Sequence, residues 1–237
     1  MTAADPRTGL HLTLVGAPMS PHVQRVAIVL AERSTPHEQI HIDLGQKPPW
    51  FTRLAPLGRV PLMRVRRRGA PERVLFESIA IIEFLEDIHP DRSLYPPDTL
   101  DRAEQRAWML LAAEMHRDLR AIMCSREPAD LDIAIHMLRS RFTRLERRLA
   151  EGPYFQGEAF GNVDAVFAPA FRQVAALDTV APLHLLVGLP SLASWSANIL
   201  GRASVARSFP RDHDMQLIAR LRASSSMLLE PERTWAA

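Results

Sequence analysis

A serine and a proline, Ser20-Pro21, stand where a short apolar run gives way to an amphipathic one in "GAPMSPHVQRV" (16–26). Proline suits the first helical position, which makes Ser20 the residue that opens the helix. Two chemistries are then open to its hydroxyl. It can accept a bond from an N–H of the first turn and act as a cap, or it can donate to an anion that the helix dipole also favours. Glu77-Ser78 raises the same choice at a second helix start, with a carboxylate directly before the hydroxyl. Lys47 is the only lysine in a chain that otherwise uses arginine, so a compact ammonium there is either chance or a requirement. Cys124 is the only cysteine, which excludes an intrachain disulfide and a cysteine-based zinc site; it reads as a small buried or inert thiol. His37 and His41 share a strand face without a third ligand, so no metal is expected. His213, between Asp212 and Asp214, reads as a helix-start cluster. Arg64, Arg66, Arg67 and Arg68 read either as a solvated hairpin turn or as a partner-binding patch. No phosphate loop or dinucleotide fingerprint is present.

The elements that must position these residues follow from periodicity. "LHLTLV" (10–15) alternates, as a strand does, and Val23, Val26, Ala27 and Leu30 recur at helical spacing after Pro21. "EQIHIDL" (38–44) alternates again, a short helix fits 48–54, and "VPLMRV" (60–65) with "ERVLF" (72–76) read as a hairpin around "RRRGAP". "SIAIIEFLEDI" (78–88) is a helix with Ser78 as its cap. The order βαβ then ββα predicts a mixed-sheet α/β domain over residues 1–90. The proline-rich stretch that follows supplies a linker, 91–100. Beyond it strand signals fade. Trp108, Leu111, Met115, Leu119 and Ile122 form one stripe, "LDIAIHMLRSRFTRLERRLA" (131–150) another, and further helices fit 163–178, 190–200 and 213–222. Residues 101–237 are thus expected to be all-helical, with a loosely held tail from about 223.

A chain of 237 residues, 47% hydrophobic, can bury the cores of two modest domains. Its net charge of +2 does not suit nucleic-acid binding. The opening "MTAADPRTGLHLTLVG" lacks a basic start and a long apolar core, and no later run approaches the ~18 apolar residues of a membrane span. A soluble, cytoplasmic protein is expected, in keeping with the lone cysteine.

Three ordered motifs together, Ser20-Pro21-His22-Val23-Gln24-Arg25-Val26, "QKPPWFTRLAPLGRVPLM" (46–63) and "LFESIAIIEFLED" (75–87), resemble the glutathione transferase superfamily, closest to its omega-like members. "GPYFQGEAFGNVDAVFAPAF" (152–171) extends the resemblance into the second half. It implies a thioredoxin-like first domain that binds glutathione as cosubstrate and an all-α second domain that helps bind a small electrophile. It also implies a homodimer. Two departures stand out. Omega-like members usually carry cysteine where this chain has Ser20, and Gly161 replaces the usual hydroxyl residue opening the helix near 162, where Asp164 can still serve the helix start.

Under that resemblance Ser20 is the catalytic donor to the glutathione sulfur. A free thiol with pKa ~8.5 is about 3% ionised at pH 7; lowering it by two units raises that to roughly three quarters, an effect of about 2.7 kcal/mol. Serine cannot form a mixed disulfide, so thiol–disulfide exchange through this position is closed, while attack by a bound thiolate remains open. Val60-Pro61 is implied to carry a cis bond that turns the Val60 backbone toward the cysteinyl part of glutathione. Glu77 is placed to pair the γ-glutamyl amine and Ser78 to hold its carboxylate, and Lys47 to neutralise a carboxylate. Met19, His22, Met115 and His116 are candidates for an electrophile site between the domains. Two other functions compete: an interaction protein resembling the stringent-starvation regulators, with the arginine hairpin as its motif, and an omega-like reductase, which Ser20 disfavours.

Overall fold

The computed structural model describes residues 4–149 and 151–229. The last residue of the expected 131–150 helix, the first three residues of the chain, and positions 230–237 of the expected tail lie outside them.

The chain divides into two compact units. The first runs through Pro96 and takes in Ala203–Pro210. It begins with strand β1 (Leu10–Gly16), helix α1 (Pro21–Glu32) and strand β2 (Glu38–His41), followed by a short helix α2 (Pro49–Leu54). Strands β3 (Leu62–Arg67) and β4 (Arg73–Phe76) and helix α3 (Ser78–Ile88) complete it. The sheet order is β2-β1-β3-β4, with β1 parallel to β2 and antiparallel to β3, and β3 antiparallel to β4. This is the mixed α/β domain expected from the periodicities.

Two differences have local causes. β2 ends at His41 rather than Leu44, because Ile42 turns inward to a cluster with Val15, Phe51 and Leu62, and the Asp43 carboxylate accepts from Gly45 N–H at 2.8 Å. β3 starts at Leu62 rather than Val60, since Pro61 has no N–H to give a ladder. Gly16 closes the other side of the sheet: a Cβ there would stand 2.3 Å from Cγ2 of Val23, so only glycine lets the end of β1 meet α1 this closely.

The second unit holds α4 (Thr99–Cys124), α5 (Pro128–Arg148), α6 (Asn162–Asp178) and α7 (Pro190–Leu200), and, after the short α8 (Ala203–Arg207) that belongs to the first unit, α9 (His213–Ala223). α4 is capped by the Asp98 carboxylate, which accepts from the Leu100 and Asp101 N–H groups at 2.8 and 3.0 Å. Its buried face holds Met115, Leu119 and Ile122 of the expected stripe, while Met109 and Ala112 are buried ahead of the half-buried Trp108 and Leu111; α4 packs against both α5 and α6. α6 is buried along almost its whole length, and Trp195 of α7 lies 5.3 and 5.0 Å from the rings of Phe167 and Phe171. Each such aromatic ring contributes about 1.5–3 kcal/mol by leaving water.

The tail differs from expectation. Residues 224–229 are tied down: Met227 N–H donates to Ser125 C=O at 2.9 Å, the Ser224 hydroxyl donates to Met123 C=O at 3.2 Å, and Leu228 is buried. Cys124 is exposed at the end of α4, a correction to its expected burial, since it stands on the outer side of the helix from Ile122. No described helix is long and apolar enough to cross a membrane.

Candidate functional site

Three chain segments of the first unit converge on one cavity of about 130 Å³, lined among others by His22, Arg59, Val60, Pro61, Glu77 and Ser78. Pockets that enclose a whole ligand run to roughly 300–1,000 Å³. This one is a notch, with room for no more than a segment of such a molecule.

The first segment is the start of α1. Ser20 has extended backbone (φ −79°, ψ 119°) and Pro21 takes the first helical position, as the sequence predicts. The Ser20 carbonyl accepts from the N–H groups of Val23 and Gln24, both at 3.0 Å, and the Gln24 side chain pins the preceding turn by donating to Pro18 C=O at 2.8 Å. The Ser20 hydroxyl makes no capping bond. Of the two chemistries open to it, helix capping is therefore not in use. Ser20 is half-buried and stands outside the cavity lining, two residues before His22, which is in it.

The second segment is the approach to β3. The Val60-Pro61 bond is cis, and both residues line the cavity. Gly58, at φ +58°, sits in the left-handed region and turns the loop just before them. A Cβ at Gly58 would lie 3.9 Å from Lys47 Nζ, so the lone ammonium stands against this loop although Lys47 is not in the lining.

The third segment is the start of α3. Glu77 is the residue before the helix, at φ 65° and ψ 116°, with no capping bond from its side chain. A non-glycine residue in that region carries strain of order 1–3 kcal/mol and marks a position held by its surroundings. Ser78 follows as the first helical residue, its side chain almost fully buried. The free N–H groups of this first turn give the cavity a positive end.

Electrostatics reinforce that sign. Arg25 is buried, its Nε and Nη2 have no hydrogen-bond partner among the described residues, and desolvation lowers its pKa to about 10 against the opposing pull of Glu77. It remains cationic at neutral pH. Burial, helped by Arg25 and Arg59, pushes His22 down to about 4, so its imidazole is neutral there.

The structure thus brings Val60, Pro61, Glu77, Ser78 and His22 together, with Lys47 close by and Ser20 at the opening of the same helix. Met19 is buried in the first unit, and Met115 and His116 are buried on α4 of the second. Sequence reasoning missed Arg25 and Arg59. Both lie inside the quoted motifs, and Arg59 directly precedes Val60-Pro61, which is the signal that could have found it. Elsewhere, His213 pairs with Asp214 at 3.1 Å at the start of α9, as a helix-start cluster should. In the arginine hairpin, Glu72 takes Arg64 at 2.9 and 3.0 Å and Arg66 at 3.8 Å.

Comparison with known proteins bears on the whole arrangement. A family model described as glutathione S-transferase, N-terminal domain, matches residues 14–93, and one described as glutathione S-transferase, C-terminal domain, matches 110–203. Glutathione S-transferase omega-2 of Rattus norvegicus is 29% identical over 185 residues, 76% of this chain and 71% of the relative. Pyrimidodiazepine synthase of Drosophila melanogaster is 33% identical over 164 residues, 69% of this chain and 65% of the relative. Among solved structures, glutathione transferase Omega 3C from Trametes versicolor superposes with a TM-score of 0.75 at 23% identity, covering 94% of this chain and 93% of that one. With family models matching both halves in order, and a thioredoxin-like first unit joined to a helical second one, the protein belongs to the glutathione transferase superfamily, with omega-class members among its relatives, and glutathione is its cosubstrate.

Proposed function

We propose that the notch at Val60, Glu77 and Ser78 seats glutathione, and that the chain holds its thiol as the anion and adds it to a small, apolar electrophile. The observation that carries this reading is the Ser20 hydroxyl, which stands before α1 without being used to cap it. In this reading Ser20 donates to the sulfur, the Val60 backbone pairs with the cysteinyl unit, Glu77 takes the γ-glutamyl amine, and Ser78 with the first turn of α3 holds the carboxylate. Lys47 and Arg59 neutralise the remaining carboxylate. Met19, His22, Met115 and His116 are assigned to the electrophile within the same proposal. A homodimer, a cytoplasmic location and a part in detoxification also belong to it. With serine at position 20, a reaction through a protein–glutathione disulfide at that position has no sulfur to use.

The test combines calorimetric titration of glutathione with thiolate absorbance. Wild type is expected to bind and to show the thiolate at neutral pH. Ser20→Ala should keep affinity within about threefold and lose ten- to a hundredfold in turnover, the size of one charge-assisted hydrogen bond. Unchanged turnover and thiolate signal in Ser20→Ala would remove the role.

A further inference from the structure

His22 occupies an unexpected place. Its ring lines the cavity with Val60, Glu77 and Ser78, two residues along the first turn of α1 from the Ser20 hydroxyl. The charged groups that bear on it come from each element packed around the notch. Arg25 follows one turn later on the same helix and Arg59 comes from the loop before β3, while Glu77, before α3, shares the cavity lining and faces Arg25. Burial, together with Arg25 and Arg59, suppresses the imidazolium. A neutral imidazole cannot offer a charge to an anion, but it always keeps one N–H donor. A ring held neutral by burial and by positive neighbours is suited to donate to a developing anion without becoming its acid. The same cations favour negative charge on whatever the ring faces. On purely electrostatic grounds the notch therefore supplies positive potential through arginine and a directional donor through histidine.

We infer that His22 is a catalytic residue of the transferase reaction, giving a ring N–H to the glutathione sulfur together with the Ser20 hydroxyl. The inference rests on the reading of the notch as the glutathione site. It also moves His22 from the electrophile to the thiol. The thiol proton leaves to bulk water, the ring keeps its own proton throughout, and the sulfur electron pair remains available for the bond to the electrophile.

The test is the pH titration of bound glutathione by thiolate absorbance in wild type, His22→Phe and His22→Gln, with affinity measured in parallel by calorimetry. Phenylalanine keeps a planar ring without a donor; glutamine restores an N–H. The Phe variant should raise the pKa of the bound thiol by about one unit, a tenfold loss of thiolate at pH values below both, and the Gln variant should recover most of that loss. His22→Ala serves as a second donor-free variant should the phenylalanine not be accommodated. An unchanged thiol pKa in the donor-free variants overturns the inference. So does a loss of affinity at constant thiol pKa, which would assign the ring to a ligand carboxylate, and so does an equal shift in the Phe and Gln variants, which would mark a role in packing. If wild type binds no glutathione, the reading of the notch fails and the inference falls with it; the other outcomes leave that reading in place.

Discussion

Glu77 shows how one residue can serve a site at the expense of its own backbone. Its left-handed φ of 65° costs about 1–3 kcal/mol. The exposed carboxylate recovers less than about 1 kcal/mol from its attraction to Arg25. Strain therefore wins, and the conformation is held by the elements on either side, β4 and α3. Glu77→Gly should accordingly be more stable than Glu77→Ala by about 1 kcal/mol, the reverse of the usual order for these residues within helices. Under the proposed function both variants should lose at least tenfold in glutathione affinity. Urea unfolding and calorimetry separate the two effects, and an alanine variant as stable as the glycine one would show the strain to be absent. The Glu-Ser pair itself was legible in the sequence. The charge state of its neighbours was not, because the neutrality of His22 depends first on its burial and then on Arg25 and Arg59 arriving from two segments, and spacing along the chain does not report either.

At the level of elements, the start of α6 is the clearest case of pattern and structure agreeing for a physical reason. Gly161 offers no side-chain cap, and Asp164 takes the load: its carboxylate accepts from the N–H groups of Gly161 at 2.7 Å and Phe155 at 2.9 Å, and from the Trp195 indole at 2.6 Å. Desolvation nevertheless outweighs these three donors and raises its pKa from 3.8 to about 6. Between those values the folded state holds a proton that the unfolded state has released. The contribution to stability therefore declines as pH rises from about 4 to about 6, by an amount on the order of 2–3 kcal/mol, and is flat above that. Asp164→Asn removes the titration. Whatever its absolute cost, the stability of the variant relative to wild type should rise across that window and level off near pH 7. Urea unfolding at pH 4 to 7.5 checks it, and a flat difference would place the carboxyl in a wetter setting than its burial indicates. The need for a cap was readable from Gly161 and Asp164; the indole that completes it, 31 residues later, was not.

The molecule as a whole departs from a simple division at a linker. The stretch after α3 is pinned: the Glu86 carboxylate accepts from the Ser93 hydroxyl at 2.8 Å and Leu94 N–H at 3.1 Å. Buried Arg33 pairs with Glu86 and donates to the carbonyls of Leu85 and His89 at 2.8 and 3.1 Å. The first unit is also completed from far along the chain, for Ala203–Pro210 belongs to it, with the Ser204 hydroxyl donating to Glu32 at the end of α1 and Val205 fully buried. A fragment ending at Pro96 should therefore unfold about 2 kcal/mol more easily than the same fragment carrying residues 203–210 on a flexible linker, the scale of one buried valine. Equal urea midpoints would show that the returning segment adds nothing. By itself the sequence determined the order of strands and helices, the two halves, the absence of a nucleophilic sulfur at position 20 and the motifs that line the notch, because each depends on residue types close together in the chain. Only the tertiary structure decided that the Ser20 hydroxyl does not cap its helix, that burial and two arginines hold His22 neutral, and that a late segment completes the first unit, because these depend on which groups exclude water from one another across long separations.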